Sequence, residues 1–248
     1  MMISRKPWGI EGVARLCLAI IATLCVGMLL AASLGKVHLG LAKGQIEFLQ
    51  MMISLAFFQV STLVWITLFL RQYGTGWKEA FGLGLSEPFT AAAYGILAGA
   101  LFLPAAWVLQ FLSEMLMELA HLTPEAQAAV QALQDPSLPL GGKLAFGAAA
   151  IVLAPVAEEA IFRGVLYTAI KQQGYPRLAL WGTSGVFAVM HANELTLLPL
   201  LIFALVLVHL YETFGNLLAP IVAHSLFNTA NFLILLFQDR IDHLFPPT

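Results

Sequence analysis

Residues 144–170 read LAFGAAAIVLAPVAEEAIFRGVLYTAI, an apolar run long enough to cross a bilayer and interrupted in its middle by Glu158, Glu159 and Arg163. Runs of about 20 apolar residues are read as transmembrane helices. A bilayer accepts such segments because a helix satisfies its own backbone hydrogen bonds. Charged groups at that depth are each unfavourable by a few kcal/mol on insertion scales, on the order of 3 kcal/mol at mid-span. Three of them together therefore define both a membrane helix and a candidate functional site.

Working outward, the same reading gives seven spans near Ile10 to Leu34, Ile46 to Leu70, Phe89 to Leu112, Leu144 to Ile170, Leu178 to His191, Leu195 to Tyr211 and Leu217 to Phe237. The fifth and sixth are short, which leaves six or eight spans as alternatives. The expected fold is an all-α polytopic bundle. Composition agrees, since 60% of the residues are hydrophobic and only 10% charged, against roughly 25% charged in soluble domains. A net charge of -2 offers no basic patch for phosphate neutralisation and argues against nucleic acid as a partner. Cys17 and Cys25 lie in the first apolar run, where thiols pack as small hydrophobes. That run is expected to be an uncleaved span rather than a signal peptide, because no small-x-small cleavage site follows it.

No long linker, low-complexity tract or internal repeat divides the chain, so residues 1–248 are taken as one membrane domain, with a catalytic core over 144–237. Thr123-Pro124-Glu125 and the Ala/Gln-rich stretch to Leu133 predict an N-capped interfacial helix that ends before Asp135-Pro136. Arg5, Lys6, Arg15, Arg71, Lys78, Lys171 and Arg177 all fall on one side of the bundle if the N-terminus is cytoplasmic, although Lys36, Lys43 and Lys143 fall on the other. The expected location is a multi-pass protein of the bacterial inner (plasma) membrane. Gly95 and Gly99 form a GxxxG in the third span, which permits close helix approach but also arises by chance in Gly/Ala-rich helices.

The mid-span polar residues form three clusters. In the first, Glu159 and Arg163 are four apart and can pair on one helical face, which leaves Glu158 about 100° around the axis without a local partner. Pro155 removes a backbone donor just ahead of them. The second cluster is Phe187 to His191, and the third contains His224 and Asn228 at i,i+4 spacing. At 1.5 Å per residue Glu158 comes out about 18 Å from the proposed cytoplasmic face, His191 about 20 Å, His224 about 11 Å and Asn228 about 17 Å. Convergence of four polar groups from three helices outweighs the alternative that His or Asn merely bonds a neighbouring helix. His209, beside Tyr211 and Glu212, reads as interfacial, and His38, His121 and His243 receive no role.

Glu-Glu-x-x-x-Arg at 158–163, Phe-x-x-x-His at 187–191 and His-x-x-x-Asn at 224–228 resemble the three motifs of the CPBP family, which contains the type II CAAX prenyl endopeptidases and the bacterial Abi proteins. Ala154-Pro155, Phe162-Arg163-Gly164, Gly215-Asn216-Leu217 and Ala219-Pro220 extend the similarity over roughly 144–237. The sixth span departs from it: members often carry glycines where this chain reads Phe203-Ala204-Leu205-Val206-Leu207-Val208-His209. The resemblance does not extend to the N-terminal 140 residues.

The resemblance implies a glutamic-type intramembrane endopeptidase with Glu158, Glu159, Arg163, His191, His224 and Asn228 as its site. Water deprotonated by Glu158 and held by His191 would attack the peptide carbonyl, His224 and Asn228 would donate to the oxyanion, and Glu159 with Arg163 would orient the helix. No cofactor is required on this reading. A zinc-dependent variant, with Glu158, His191 and His224 as ligands and water in the fourth position, stays open. The expected partners are the bilayer and a membrane protein or lipidated peptide: a prenylated C-terminal peptide, a bacteriocin leader or a C-terminal membrane anchor. A non-enzymatic chaperone, regulator or bacteriocin-immunity protein on the same fold is the alternative function. A small transporter is disfavoured by the absence of inverted halves.

Overall fold

The computed structural model describes residues 3–37, 40–84, 87–123, 128–135 and 138–238. It is all helical, with no strand among the described residues. We label the helices α1 (Ile10–Leu34), α2 (Lys43–Gln72), α3 (Trp77–Phe81), α4 (Pro88–Leu119), α5 (Ala128–Gln134), α6 (Leu140–Gln172), α7 (Pro176–Val189), α8 (Glu194–Phe214) and α9 (Leu218–Leu236). Six of these, α1, α2, α4, α6, α8 and α9, are long and apolar enough to cross a membrane. Their lipid-facing sides keep large apolar residues such as Leu29, Trp107 and Val152 exposed, as expected where hydrocarbon is the solvent.

The seven-span reading, with its alternatives of six and eight, meets six helices of membrane-spanning length. Its fifth span is α7, whose 14 residues extend only about 21 Å at 1.5 Å per residue, short of the roughly 30 Å hydrocarbon core. Tyr175-Pro176 starts this helix, and it stops at Val189, so that His191 lies in the turn beyond its end. Asn193 then starts α8, its side chain accepting from the Thr196 amide at 3.1 Å. Leu140–Gln172, by contrast, begins earlier and ends later than expected, and α4 runs on to Leu119 through Pro104. Of the interfacial helix, Ala128–Gln134 is present and ends where anticipated. Pro124, Glu125 and Pro136 lie outside the described residues, as do His38 and His243.

Gly95 and Gly99 are used for close approach. A Cβ on Gly95 would lie 2.5 Å from the carbonyl oxygen of Ala219, and one on Gly99 would lie 2.9 Å from that of Ala223, so α4 packs backbone to backbone against α9. This contact presses α9, with its His224, toward the centre of the bundle. Phe102 of α4 stacks on Phe203 of α8 at 4.8 Å in the same layer, and Phe227 of α9 closes it.

Helix α6 is one continuous rod whose winding changes. Residues Ala149–Leu153 and Ala160–Tyr167 are π-helical, on either side of the α-helical turn Ala154–Glu159 that carries both glutamates. The first widening follows from Pro155, which has no N–H and whose ring would collide with the carbonyl four residues back in a regular helix. The Ala154 amide accordingly bonds to Ala149 O, five residues back. In the second, the Thr168 hydroxyl bonds to the carbonyls of Gly164 and Val165 at 2.7 and 3.0 Å. Single-turn π segments within α-helices are common at functional sites.

Candidate functional site

Glu159 is the electrostatic hub of the site. It has no exposed surface, and its Oε1 accepts from Arg163 Nη1 at 2.8 Å and from His224 Nδ1 at 2.9 Å. Because a carboxylate is the acceptor, Nδ1 carries the imidazole proton on chemical grounds. The pairing of Glu159 with Arg163 agrees with the sequence expectation. Its hold on His224 was not legible, since 65 residues separate the two.

Arg163 is equally buried and completes its contacts with the Ala204 carbonyl at 3.2 Å and the face of the Phe187 ring at 4.5 Å from guanidinium carbon to centroid. A desolvated guanidinium over an aromatic face contributes about 2 kcal/mol in favourable cases. The glycine-poor stretch of the sixth span thus supplies both a carbonyl to Arg163 and, at Phe203, an edge-to-face contact with the His224 ring at 5.8 Å. Phe187 makes the matching contact from the other side, also at 5.8 Å. His224 is therefore fixed by one carboxylate and two aromatic rings.

Glu158 stands apart from this network. Its side chain is 14% exposed, and its buried Oε2 lies 3.8 Å from His224 Nε2 without a hydrogen-bond partner. Glu159 Oε2 is likewise unpartnered. The imidazole of His224 therefore bridges the adjacent glutamates, bonded to Glu159 through Nδ1 and facing Glu158 through Nε2.

Asn228 does not point freely beside His224. Its Nδ2 donates to Ala150 O at 2.8 Å. The reason lies in α6: in the π register the partner of Ala150 O would be the amide of residue 155, and Pro155 has none. Asn228 supplies the missing donor across the helix interface and keeps one amide hydrogen uncommitted. That carbonyl could not have been identified from the His-x-x-x-Asn spacing.

His191 is the residue whose placement differs most from expectation. It is exposed, its Nδ1 lies 2.9 Å from the Phe187 carbonyl, and its ring packs on the Phe187 ring at 4.9 Å. Among the described residues it makes no ion pair with Glu158, and the link to His224 runs through the Phe187 ring. Depth along a helix says nothing about lateral position around the bundle. The proposed zinc set fares accordingly. Glu158, His191 and His224 do not form a group, and among the described residues no three His, Cys, Asp or Glu side chains are placed to hold a metal ion. His224 has one nitrogen on Glu159 and the other toward Glu158. His209 is exposed on α8 near Glu212, in keeping with an interfacial place.

Several buried polar groups were missed, Ser184 of α7 among them. Gln59 and Thr62 of α2 are almost fully buried, each with an unpartnered side-chain oxygen, on the helix that packs against the glutamate-bearing part of α6. In a run such as Phe-Phe-Gln-Val-Ser-Thr they carry no charge and follow no motif, so only packing distinguishes them.

A polytopic helical membrane protein with buried Glu, Arg and His inside its bundle is the class that fold and site define. Residues 140–230, which hold every candidate site residue, match the family described as type II CAAX prenyl endopeptidase Rce1-like. Over this segment, rather than over the whole chain, the protein is similar to that family of CAAX proteases. No curated protein and no solved structure matches the chain.

Proposed function

We propose that the protein is an intramembrane endopeptidase that hydrolyses a peptide bond in a membrane-associated or lipidated protein, with water activated by Glu158. The observation that carries this reading is the unpartnered Glu158 Oε2 beside His224, inside a membrane-spanning helix. Glu158 takes a proton from water while the oxygen attacks the scissile carbonyl carbon. The tetrahedral intermediate then expels the amine, and the proton passes from Glu158 to its nitrogen. Donors for the oxyanion are His224 Nε2 when protonated and the second amide hydrogen of Asn228. Glu159 and Arg163 hold His224 in place and are positioning residues. His191, at the edge of the site, is assigned to handling water or substrate on the exposed side of Phe187.

Similarity to that family over residues 140–230 supports the reaction class, and the substrate follows from it only as a class: a polypeptide end presented from the membrane, such as a prenylated C-terminal peptide. The test is Glu158→Gln in the purified protein, assayed on a prenylated reporter peptide and by comparing membrane proteomes for a substrate that accumulates uncut. Cleavage is expected to fall by at least about 1,000-fold while Tm in detergent stays within a few degrees of wild type. Retained turnover in Glu158→Gln would remove Glu158 from the chemistry.

A further inference from the structure

Outside the candidate site, an opening lies at one end of the bundle, where the segment before α1 folds over the ends of α2 and α6. It encloses about 890 Å³ and is lined by Arg5, Lys6, Tyr73, Thr75, Glu79 and Gln172, among others. Lys6 is the unusual member. It is only 6% exposed, and its Nζ donates to Ala80 O at 2.6 Å and to Ser4 Oγ at 3.3 Å. Among the described residues no carboxylate lies within ion-pair distance of it. Glu79, the acidic residue of the lining, instead accepts from the Thr75 hydroxyl at 3.0 Å.

A buried lysine without a counter-charge is rare, because desolvating an ammonium is unfavourable unless it is paired. Burial pulls the Lys6 pKa below its ordinary value, the mark of a cation that lacks an anion. Two of its three N–H donors are committed to neutral oxygens, which leaves the third. Arg5, exposed beside it, brings a second positive charge and a fork of donors suited to a phosphate. The first turn of α1 adds amides without a side-chain cap at Gly9.

The surroundings are built to keep this arrangement. The Lys6 amide donates to Gln172 Oε1 at 2.6 Å, Gln172 Nε2 donates to the Trp8 carbonyl at 3.3 Å, and the Trp8 ring packs on Phe69 and Tyr73. The basic pair is thereby fixed to the ends of two helices of membrane-spanning length, α2 and α6, and helix ends of this kind lie at the level of the phospholipid phosphates. Aromatic residues are typical of that level, and basic pockets between helices there hold anionic headgroups.

We propose that this cavity binds an anionic phosphate group, held by Lys6 and Arg5, of the kind presented by the headgroup of an anionic phospholipid. The full-length protein in a neutral detergent is titrated with phosphatidylglycerol, with phosphatidylcholine and with sodium phosphate, and Tm is followed. Phosphatidylglycerol is expected to raise Tm saturably and phosphatidylcholine is not. Arg5→Gln and Lys6→Met should each weaken the apparent affinity by about tenfold, the loss of one charge-assisted contact. A comparable response to sodium phosphate, sensitive to the same variants, identifies a free anion as the source, and its absence identifies the lipid. Either sustains the phosphate site. Equal responses to both lipids, no response, or a response undiminished in Arg5→Gln overturn it. Arg5 is exposed, so its variant decides the matter even where Lys6→Met fails to fold.

Discussion

At the scale of single residues, two neighbouring glutamates have been given different surroundings. Glu159 is held through Oε1 by Arg163 and His224, whereas Glu158 faces His224 Nε2 at 3.8 Å, beyond hydrogen-bond length, and each keeps an Oε2 without a hydrogen-bond partner. Removing one member of a buried ion pair typically destabilises by about 3–5 kcal/mol, because the other charge is left uncompensated. Glu159→Gln is therefore expected to lower the detergent Tm markedly and to lower activity with it, as Arg163 loses its charge partner and His224 its anchor. Glu158→Gln is expected to spare Tm. Thermal unfolding of the two variants side by side checks this, and equal losses would contradict the division of roles. The second-order prediction is that Arg163→Met together with Glu159→Gln is less destabilising than the sum of the single variants, since the double variant buries no lone charge.

At the scale of the element, α6 and α9 are coupled through a proline and an asparagine. Pro155 leaves Ala150 O without a partner along the helix, and Asn228 reaches across to supply one. Asn228→Ala should orphan that carbonyl and destabilise the protein by about 1–3 kcal/mol. Pro155→Ala returns an amide to the helix, so the double variant should recover part of the stability lost in Asn228→Ala. Additive losses across this cycle would refute the coupling. Activity provides the discriminating readout. If Asn228 also donates to the oxyanion, Asn228→Ala reduces kcat by about 100-fold or more with little change in KM, and Pro155→Ala does not restore it. A purely structural Asn228 would regain activity together with stability.

At the scale of the whole molecule, the basic loops gather at one end. Arg5, Lys6, the end of α2 and the end of α6 line a single cavity, and Lys171 of α6 pairs with Glu212 of α8 nearby. This agrees with the expectation that these loops share a side, and the proposal that this side is cytoplasmic rests on the positive-inside tendency. Gly76 and Gln173 are both exposed there. Cysteines introduced at the two positions, in a background lacking Cys17 and Cys25, should both be protected from an impermeant thiol reagent in intact cells and both react after permeabilisation. Reaction of one alone in intact cells would overturn the shared side, and reaction of both would invert the orientation.

The chain's periodicity and composition were sufficient for a helical membrane bundle, because apolar runs of membrane length have few other outcomes. Spacing also announced the Glu159–Arg163 pair, since i,i+4 neighbours meet on any helix, and three clusters of mid-span polar residues marked the candidate site. The partners across helices were decided by tertiary structure alone. That Glu159 holds His224, that Asn228 serves the carbonyl exposed by Pro155, that Ala204 receives Arg163 and that His191 sits outside the network all depend on how helices rotate and lean against one another. Residue depth follows from counting along one axis, whereas contact between axes is set by packing, here by the glycines that draw α4 onto α9 and by the rings of Phe187 and Phe203 around His224.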